Sequence, residues 1–346
     1  MTYRQVHFLE KIEFQVTAIA AAAVVYWFVW PLLIPGDPEW PICFIARGAY
    51  ASMWMLAGFA CAIGLACGAL TITARPQTAA MALVLGLGGL SLRSPRIRSL
   101  LWASQDSMSA MYWRMALEVL VLMALVVIAA AATCIGRRIM ASLAGGLLWR
   151  DPLIDLDADR REAYNRELST KSAGKSGRKD LLAGLAMFLM PFGAAMALDN
   201  KSEKLPGRDT AIRGLLGFMI SVTGSAIVVF LLLRSPERGQ ILFALFAGCF
   251  LGVFFSQRIV PTRTNVTAWA TPAAMGVFLY VLAAISSSGV AHVEWKNVAC
   301  YARVLPIDWM TAGLGGAMLG HWEDLRMREA RYIDESLEDA KANDGE

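Results

Sequence analysis

One polar stretch separates two apolar regions of this chain, and the rest of the sequence is organised around it. Residues 137–180 read RRIMASLAGGLLWRDPLIDLDADRREAYNRELSTKSAGKSGRKD and hold ten of the 32 Lys and Arg residues. The residues before them, from about Phe14 to Gly136, are strongly apolar, and so are many after them, from Leu181 to Val290. A basic segment between apolar regions is typical of a cytoplasmic loop in a membrane protein.

The composition supports this interpretation. The chain has 346 residues, of which 57% are hydrophobic and 17% charged, and its mean hydropathy is +0.49. Soluble domains carry roughly 25% charged residues, and an apolar run of about 18 or more residues is long enough to span a bilayer as a helix. The sequence therefore predicts an all-α, polytopic transmembrane bundle whose main partner is the lipid bilayer.

Eight apolar runs are predicted to span. Thr78–Leu92 is short for the roughly 20 residues that a span needs. The eight runs are Phe14–Leu33, Tyr50–Thr73, Thr78–Leu92, Met115–Gly136, Leu181–Leu198, Gly214–Leu233, Ile241–Val260 and Ala270–Val290.

The segment Ser94–Trp113 is not apolar enough to span. Its apolar residues recur at near-helical spacing, which predicts an amphipathic helix lying at the membrane interface; the alternative is an ordinary loop. These residues are Ile97, Leu101, Met108 and Met111.

The last apolar segment, Trp309–Gly320, has only twelve residues and is rich in glycine. We expect it to be re-entrant or interfacial. The charged tail from Glu323 onward is expected to begin as a helix, because Asp324 and Arg328 have the spacing of a favourable helical ion pair.

These elements divide the chain into four predicted segments. They are a first transmembrane half (1–136), a cytoplasmic basic loop (137–180), a second transmembrane half (181–322) and a charged cytoplasmic tail (323–346).

Counting Lys and Arg on each side favours cytoplasmic N- and C-termini, in the inner membrane of a cell. This assignment places 21 of the 32 in the cytoplasm and 11 outside. The outer set is Arg47, the four in 93–114, the four in 199–213, Arg258 and Arg263.

Sequence patterns for chemistry are sparse. No two of His7, His292 and His321 share a helical turn, and no cysteine has metal-ligand spacing. Partial phosphate-loop and calcium-loop patterns in residues 155–176 lack the required glycines. The sequence therefore predicts no catalytic residue, no metal and no cofactor, and the lack of a basic stripe with interleaved aromatics argues against nucleic acid.

Three charged residues are the candidate functional groups, because ionisable side chains within a membrane are costly and are usually functional. Glu118 lies one turn into the fourth predicted span, with Arg114 four residues earlier. The two form either an interfacial ion pair or part of a functional site. Asp308 either caps the helix expected to follow it or marks the mouth of a site.

Small residues recur at four-residue spacing, which lets helix backbones approach closely in lipid. They serve either packing within the chain or an oligomer interface. The rows are Gly64 and Gly68; Ala244, Gly248 and Gly252; and Ala312, Gly316 and Gly320.

Three classes of function remain open. The first is a non-catalytic membrane subunit or scaffold that binds protein partners through its tail and its basic loop, at Arg160, Arg161, Lys171, Lys175, Arg178 and Lys179. The second is a permease for a neutral or lipid-like solute, along a weakly polar path formed by Ser221, Thr223, Ser225 and Ser286–Ser288. The third is a membrane-embedded enzyme, which the sparse motifs favour least.

Overall fold

The computed structural model describes residues 3–33, 39–72, 74, 76–104, 107–143, 207–261, 266–287 and 298–343. Every regular element in these ranges is helical. The α-helices are α1 (Tyr3–Val24), α2 (Trp30–Leu33), α3 (Tyr50–Leu70), α4 (Pro76–Arg93), α5 (Arg98–Ala103), α6 (Met108–Leu143), α7 (Gly207–Leu232), α8 (Arg238–Ile259), α9 (Val266–Ser286), α10 (Pro306–Asp308) and α11 (Leu314–Asn343). Two π-helical turns, Val25–Val29 and Trp309–Gly313, and the 3-10 helix Cys300–Arg303 complete the set.

Within the described residues, six helices are long and apolar enough to cross a membrane. The chain is therefore a polytopic integral membrane protein with an all-α fold, as predicted, although the predicted number of eight spans is not confirmed. The six are Glu10–Leu33, Tyr50–Leu70, Met108–Met140, Ile212–Leu232, Arg238–Ile259 and Val266–Ser286. The predicted span Thr78–Leu92 is the 18-residue helix α4, which falls outside this set, and Leu181–Leu198 lies outside the described residues.

The predicted interfacial helix over Ser94–Trp113 is wrong. Helix α5 has only six residues, and the chain turns after it, where the Ser107 N–H donates to the carbonyl of Ser104. The 36-residue helix α6 then begins at Met108. The four apolar side chains that suggested the helix, Ile97, Leu101, Met108 and Met111, are buried within the protein, so their helical spacing reflects tertiary packing.

The polar stretch 137–180 begins inside a helix. Residues 137–143 are the last two turns of α6, and Arg137 is 7% exposed. The rest of the stretch, including all six predicted partner-binding residues, lies outside the described residues.

The glycine-rich segment Trp309–Gly320, predicted to be re-entrant or interfacial, is not a short isolated element. It is the start of a helix that continues through a π-helical turn into the 30-residue α11. Its side chains are almost all buried, because the small residues lie against neighbouring helices. The predicted segment ends at Gly320 because charged residues begin soon afterwards. The buried part of the helix extends further, since Trp322, Asp324 and Leu325 are buried as well.

The chain forms two compact units, each built from separate stretches of sequence. The first unit comprises residues 1–33, 51–89 and 124–201, and the second comprises 34–50, 90–123 and 202–346. The four predicted segments were drawn from charge rather than from contacts, and they remain a prediction.

In the first unit, glycines bring α3 against the second half of α6. A Cβ on Gly64 would overlap the carbonyl oxygen of Ala129, and one on Gly68 would overlap that of Thr133. Arg137, near the end of α6, also links α6 to the residues that follow α3. Its guanidinium donates to the carbonyls of Thr71, Ile72 and Ala74 at 2.6, 3.3 and 2.5 Å. These carbonyls follow the end of α3, where backbone acceptors have no helical partner.

In the second unit, α8 packs between α7 and α11. A Cβ on Gly252 would overlap Ser225 of α7, and Cβ atoms on Gly316 and Gly320 would overlap carbonyl oxygens of α8. The predicted small-residue rows thus serve close packing within this chain.

Four connections meet at one end of the second unit, which we call the loop end. They are residues 39–49, 90–107, 233–238 and 298–308. The Ile42 N–H donates to Ser94 Oγ at 3.1 Å, and Arg96 pairs with Glu237 at 2.5 Å. The predicted sides of the membrane are therefore wrong for part of the chain, because Arg96 was assigned outside and the connection carrying Glu237 inside.

Candidate functional site

The candidate site is formed by the buried charged groups of the second unit. Glu118 has no exposed surface. Because α6 begins at Met108, Glu118 lies about 15 Å from the start of the helix at 1.5 Å per residue, rather than one turn from its start as the sequence suggested.

Glu118 accepts hydrogen bonds from the backbone of a loop. Its Oε1 accepts the N–H of Phe44 at 2.8 Å, and its Oε2 accepts those of Ile45 and Ala46 at 2.9 and 3.2 Å. The loop turns back at Gly48, which has a φ of +77°. A carboxylate that accepts three backbone donors has its hydrogen-bonding capacity largely used in fixing the loop.

The predicted pair between Glu118 and Arg114 does not form. No ion pair joins them within the described part of the chain, and the Arg114 side chain is exposed. Residues four apart on a helix can meet, but here the boundary between the buried and exposed faces of α6 runs between them.

Asp308 is fully buried and is bound by two partners. Its carboxylate receives both terminal nitrogens of Arg238, at 2.7 and 2.6 Å, and its Oδ2 accepts the N–H of Leu305 at 2.9 Å. The last bond is a helix cap. It belongs to the helix that begins at Pro306, before Asp308, so Asp308 caps from the third helical position rather than from the position preceding the helix.

Arg238 also connects a third element. Its Nη2 donates to the carbonyl of Ser91 at 2.5 Å, and the Ser91 hydroxyl is 2.7 Å from that of Thr311. The end of α4, the start of α8 and the π-helical turn are therefore tied together by one buried polar cluster, formed by Ser91, Arg238, Asp308 and Thr311. No sequence pattern signals this cluster, because its members lie up to 220 positions apart.

The thiol of Cys43 lies beside these carboxylates, in the loop that Glu118 holds. Burial raises the pKa of Cys43 well above its usual range, and the negative charges of Glu118 and Asp308 raise it further. The thiol is therefore protonated at neutral pH, and a protonated thiol is a poor nucleophile.

A second buried carboxylate network lies at the opposite end of the second unit, which we call the arginine end. Asp324 has no exposed surface. It forms ion pairs with Arg328 at 2.5 Å and with Arg258 at 3.2 Å. The pair with Arg328 was predicted from its spacing; Arg258 was missed because it comes from another helix.

The hydroxyl groups proposed to line a path are divided between two faces. Ser221 is buried and bonds to Thr271 at 2.9 Å, and Ser225 is buried against Gly252, whereas Thr223 is exposed. Ser286 and Ser287 bond back to carbonyls of their own helix. Of these groups, Ser221 and Ser225 lie between helices, and the described hydroxyl groups do not share one face.

The arrangement can fix helices and loops in place. In the described part of the chain, no three His, Cys, Asp or Glu side chains are grouped so that they could hold a metal ion. Each buried carboxylate of the second unit named above is committed to backbone N–H groups or to arginine.

The chain matches no known protein family model, and it is similar to no curated protein and to no solved structure.

Proposed function

We propose that this integral membrane protein is a non-catalytic subunit or scaffold that presents its charged C-terminal helix to cytoplasmic proteins. The observation that carries the proposal is the anchoring of α11. Its first part is held against α8 by Gly316 and Gly320, and by the ion pairs of Asp324. Beyond Leu325, Met327 and Arg331 are exposed, and the same helix continues to Asn343.

The charge of the presented helix suggests the chemistry of the partner. Residues 329–343 extend for about 22 Å at the helical rise of 1.5 Å per residue. They contain five acidic residues, Glu329, Asp334, Glu335, Glu338 and Asp339, against Arg331 and Lys341. An acidic helix favours a partner with a basic surface, since complementary charge speeds and orients association. The second proposed contact is the set of basic residues Arg160, Arg161, Lys171, Lys175, Arg178 and Lys179.

The contacts of the buried charges support a scaffold over the two alternatives. A permease for a neutral or lipid-like solute needs polar groups facing one path, but Ser221 and Ser225 lie buried between helices, and Thr223 is exposed. A membrane enzyme needs a group poised to react, but the Glu118 and Asp308 carboxylates are bound by fixed donors. The alternatives would regain support if the protein moved a solute or turned over a substrate after purification.

We further propose that both termini are cytoplasmic and that the loop end of the second unit faces outward, in the inner membrane of a cell. If α1 with α2, α3, α4, α6, α7, α8, α9 and α11 each cross once, the helix ends alternate between the two sides. On the premise that residues 144–206, including the predicted span Leu181–Leu198, stay on the side of the helix ends that flank them, 23 Lys and Arg are cytoplasmic and 9 are outside. This bias is stronger than the 21 to 11 of the sequence assignment, and the positive-inside rule favours it.

The scaffold proposal is tested by partner capture from membranes solubilised in mild detergent. The full chain is compared with a variant in which Asp334, Glu335, Glu338 and Asp339 become Asn or Gln, and with Ser336→Ala as the matched control. We expect a defined protein to co-purify with the full chain and the control, and to be lost from the neutralised variant. If the same proteins co-purify at the same yield with the full chain, the neutralised variant and the control, the acidic residues of the helix do not bind the partner.

A further inference from the structure

Two arginines at the arginine end share one carboxylate. Arg258 from α8 and Arg328 from α11 both pair with Asp324, which is fully buried. This leaves the trio with one uncompensated positive charge. Buried or partly buried charge is costly when it is unbalanced, so a trio of this kind favours an anion from outside the protein.

The two guanidinium groups keep donors free at the surface. The side chains of Arg258 and Arg328 are 31% and 23% exposed. Arg328 uses Nη2 for Asp324 and for the carbonyl of Gln257, at 2.5 and 2.6 Å, and Arg258 uses Nε for Asp324 and Nη2 for the sulfur of Met327. In the described part of the chain, Nη1 of Arg258 and both Nε and Nη1 of Arg328 have no partner. An arginine has five N–H donors in a fixed fork.

The surroundings fix the position of these donors and place them beside an apolar surface. The guanidinium of Arg258 lies 5.3 Å from the centre of the Phe254 ring, which orients it. Phe255 and Ile259, on the last turns of the apolar helix α8, are 55% and 66% exposed. The free donors therefore lie where a spanning helix ends, next to a surface that acyl chains can cover.

We propose that Arg258 and Arg328 bind the phosphate group of an anionic phospholipid, whose acyl chains pack on Phe255 and Ile259. Guanidinium groups bind phosphate oxygens through paired, charge-assisted hydrogen bonds. Anionic lipids are enriched in the cytoplasmic leaflet, which is the side proposed above for the arginine end. The lipid would neutralise the extra charge of the trio and fasten the base of the C-terminal helix to the membrane surface.

The experiment measures lipid retention by the full-length protein with native mass spectrometry after purification in mild detergent. Phosphatidylglycerol is added as the anionic probe and phosphatidylcholine as the zwitterionic control. We expect one retained phosphatidylglycerol on the wild-type protein, and about tenfold less on the double variant Arg258→Gln with Arg328→Gln, as loss of a charge-assisted pair implies. Arg96→Gln, an exposed arginine at the loop end, is the matched control and should retain the lipid fully.

The other outcomes are also decisive. If the double variant does not fold, Arg258→Lys and Arg328→Lys keep the charge but lose the paired donors, and each should still lower retention. Equal retention by all variants, or equal retention of phosphatidylcholine, overturns the proposal. Displacement of the lipid by millimolar inorganic phosphate, with the same thermal stabilisation from phosphate alone, would show that the site takes free phosphate and would also overturn it. Lipid retention is measured without a protein partner, so its failure is distinguishable from failure of the scaffold proposal.

Discussion

Arg96 and Glu237, which are 141 positions apart in the chain, form an ion pair with 2.5 Å between Nη2 and Oε2. Both side chains are largely exposed, at 51% and 63%, so the pair itself contributes at most about 1 kcal/mol to stability. Its importance is topological. Two groups at this distance lie on the same face of the membrane, and the connections that carry them must emerge on the same side.

The first prediction follows from this contact. Cysteines introduced by Arg98→Cys and Glu237→Cys should react together with a membrane-impermeant maleimide applied to intact cells, because both positions are exposed at the loop end. Arg331→Cys, beyond the arginine end, should react only in inverted vesicles. Opposite labelling of Arg98→Cys and Glu237→Cys would contradict the contact, whereas labelling of all three from the reverse side would reverse only the proposed orientation.

The second prediction separates the two residues that the sequence paired. Glu118→Gln places an amide against three backbone N–H groups, and its NH2 cannot accept hydrogen bonds. We expect a loss of about 2–3 kcal/mol in the free energy of unfolding, because hydrogen bonds to charged groups contribute about 1.5–3 kcal/mol. Arg114→Gln, on the exposed face one turn earlier, should change it by less than about 0.5 kcal/mol. Unfolding in mixed micelles measures both, and equal effects would mean that Glu118 does not hold the loop.

The third prediction concerns the buried pair of Arg238 and Asp308. Removal of one partner leaves the other buried and uncompensated, so Arg238→Gln and Asp308→Asn should each cost about 3–5 kcal/mol. The double variant should cost less than the sum of the two, because the lone charge is removed as well. Arg96→Gln is the exposed control and should cost at most about 1 kcal/mol. Additive effects in this double-mutant cycle would show that the pair is not coupled.

The fourth prediction tests the anchoring of the C-terminal helix. A Cβ on Gly316 would overlap the carbonyl oxygen of Phe246, so Gly316→Ala should destabilise the second unit by about 1–3 kcal/mol. Gly214 is also helical, but a Cβ added there would meet no other atom within 4 Å, and Gly214→Ala should be neutral or stabilising by up to about 1 kcal/mol. Thermal stability in detergent distinguishes them. If both substitutions are neutral, α8 and α11 are not in close contact.

Composition and local spacing are enough to define the class of this protein and the type of its helix contacts. A charged fraction of 17% and long apolar runs favour a helical membrane bundle, because backbone polar groups in lipid must be satisfied within the segment. The spacing of Gly64 with Gly68 and of Gly316 with Gly320 predicted close packing, because a four-residue repeat keeps small residues on one helix face. Both are local properties, which a window of sequence contains.

The positions and partners of the buried charges emerge only when the helices pack together. Trp309–Gly320 was too short and Ser94–Trp113 too polar to be assigned correctly, because their structure depends on the helices around them rather than on their own hydropathy. Glu118 lies away from Arg114 because three backbone donors of a distant loop satisfy a carboxylate better than one exposed guanidinium does. Asp308 meets Arg238, and Asp324 meets Arg258, across about 70 positions of chain. No spacing rule reaches that far, because only the packing of helices brings such groups together.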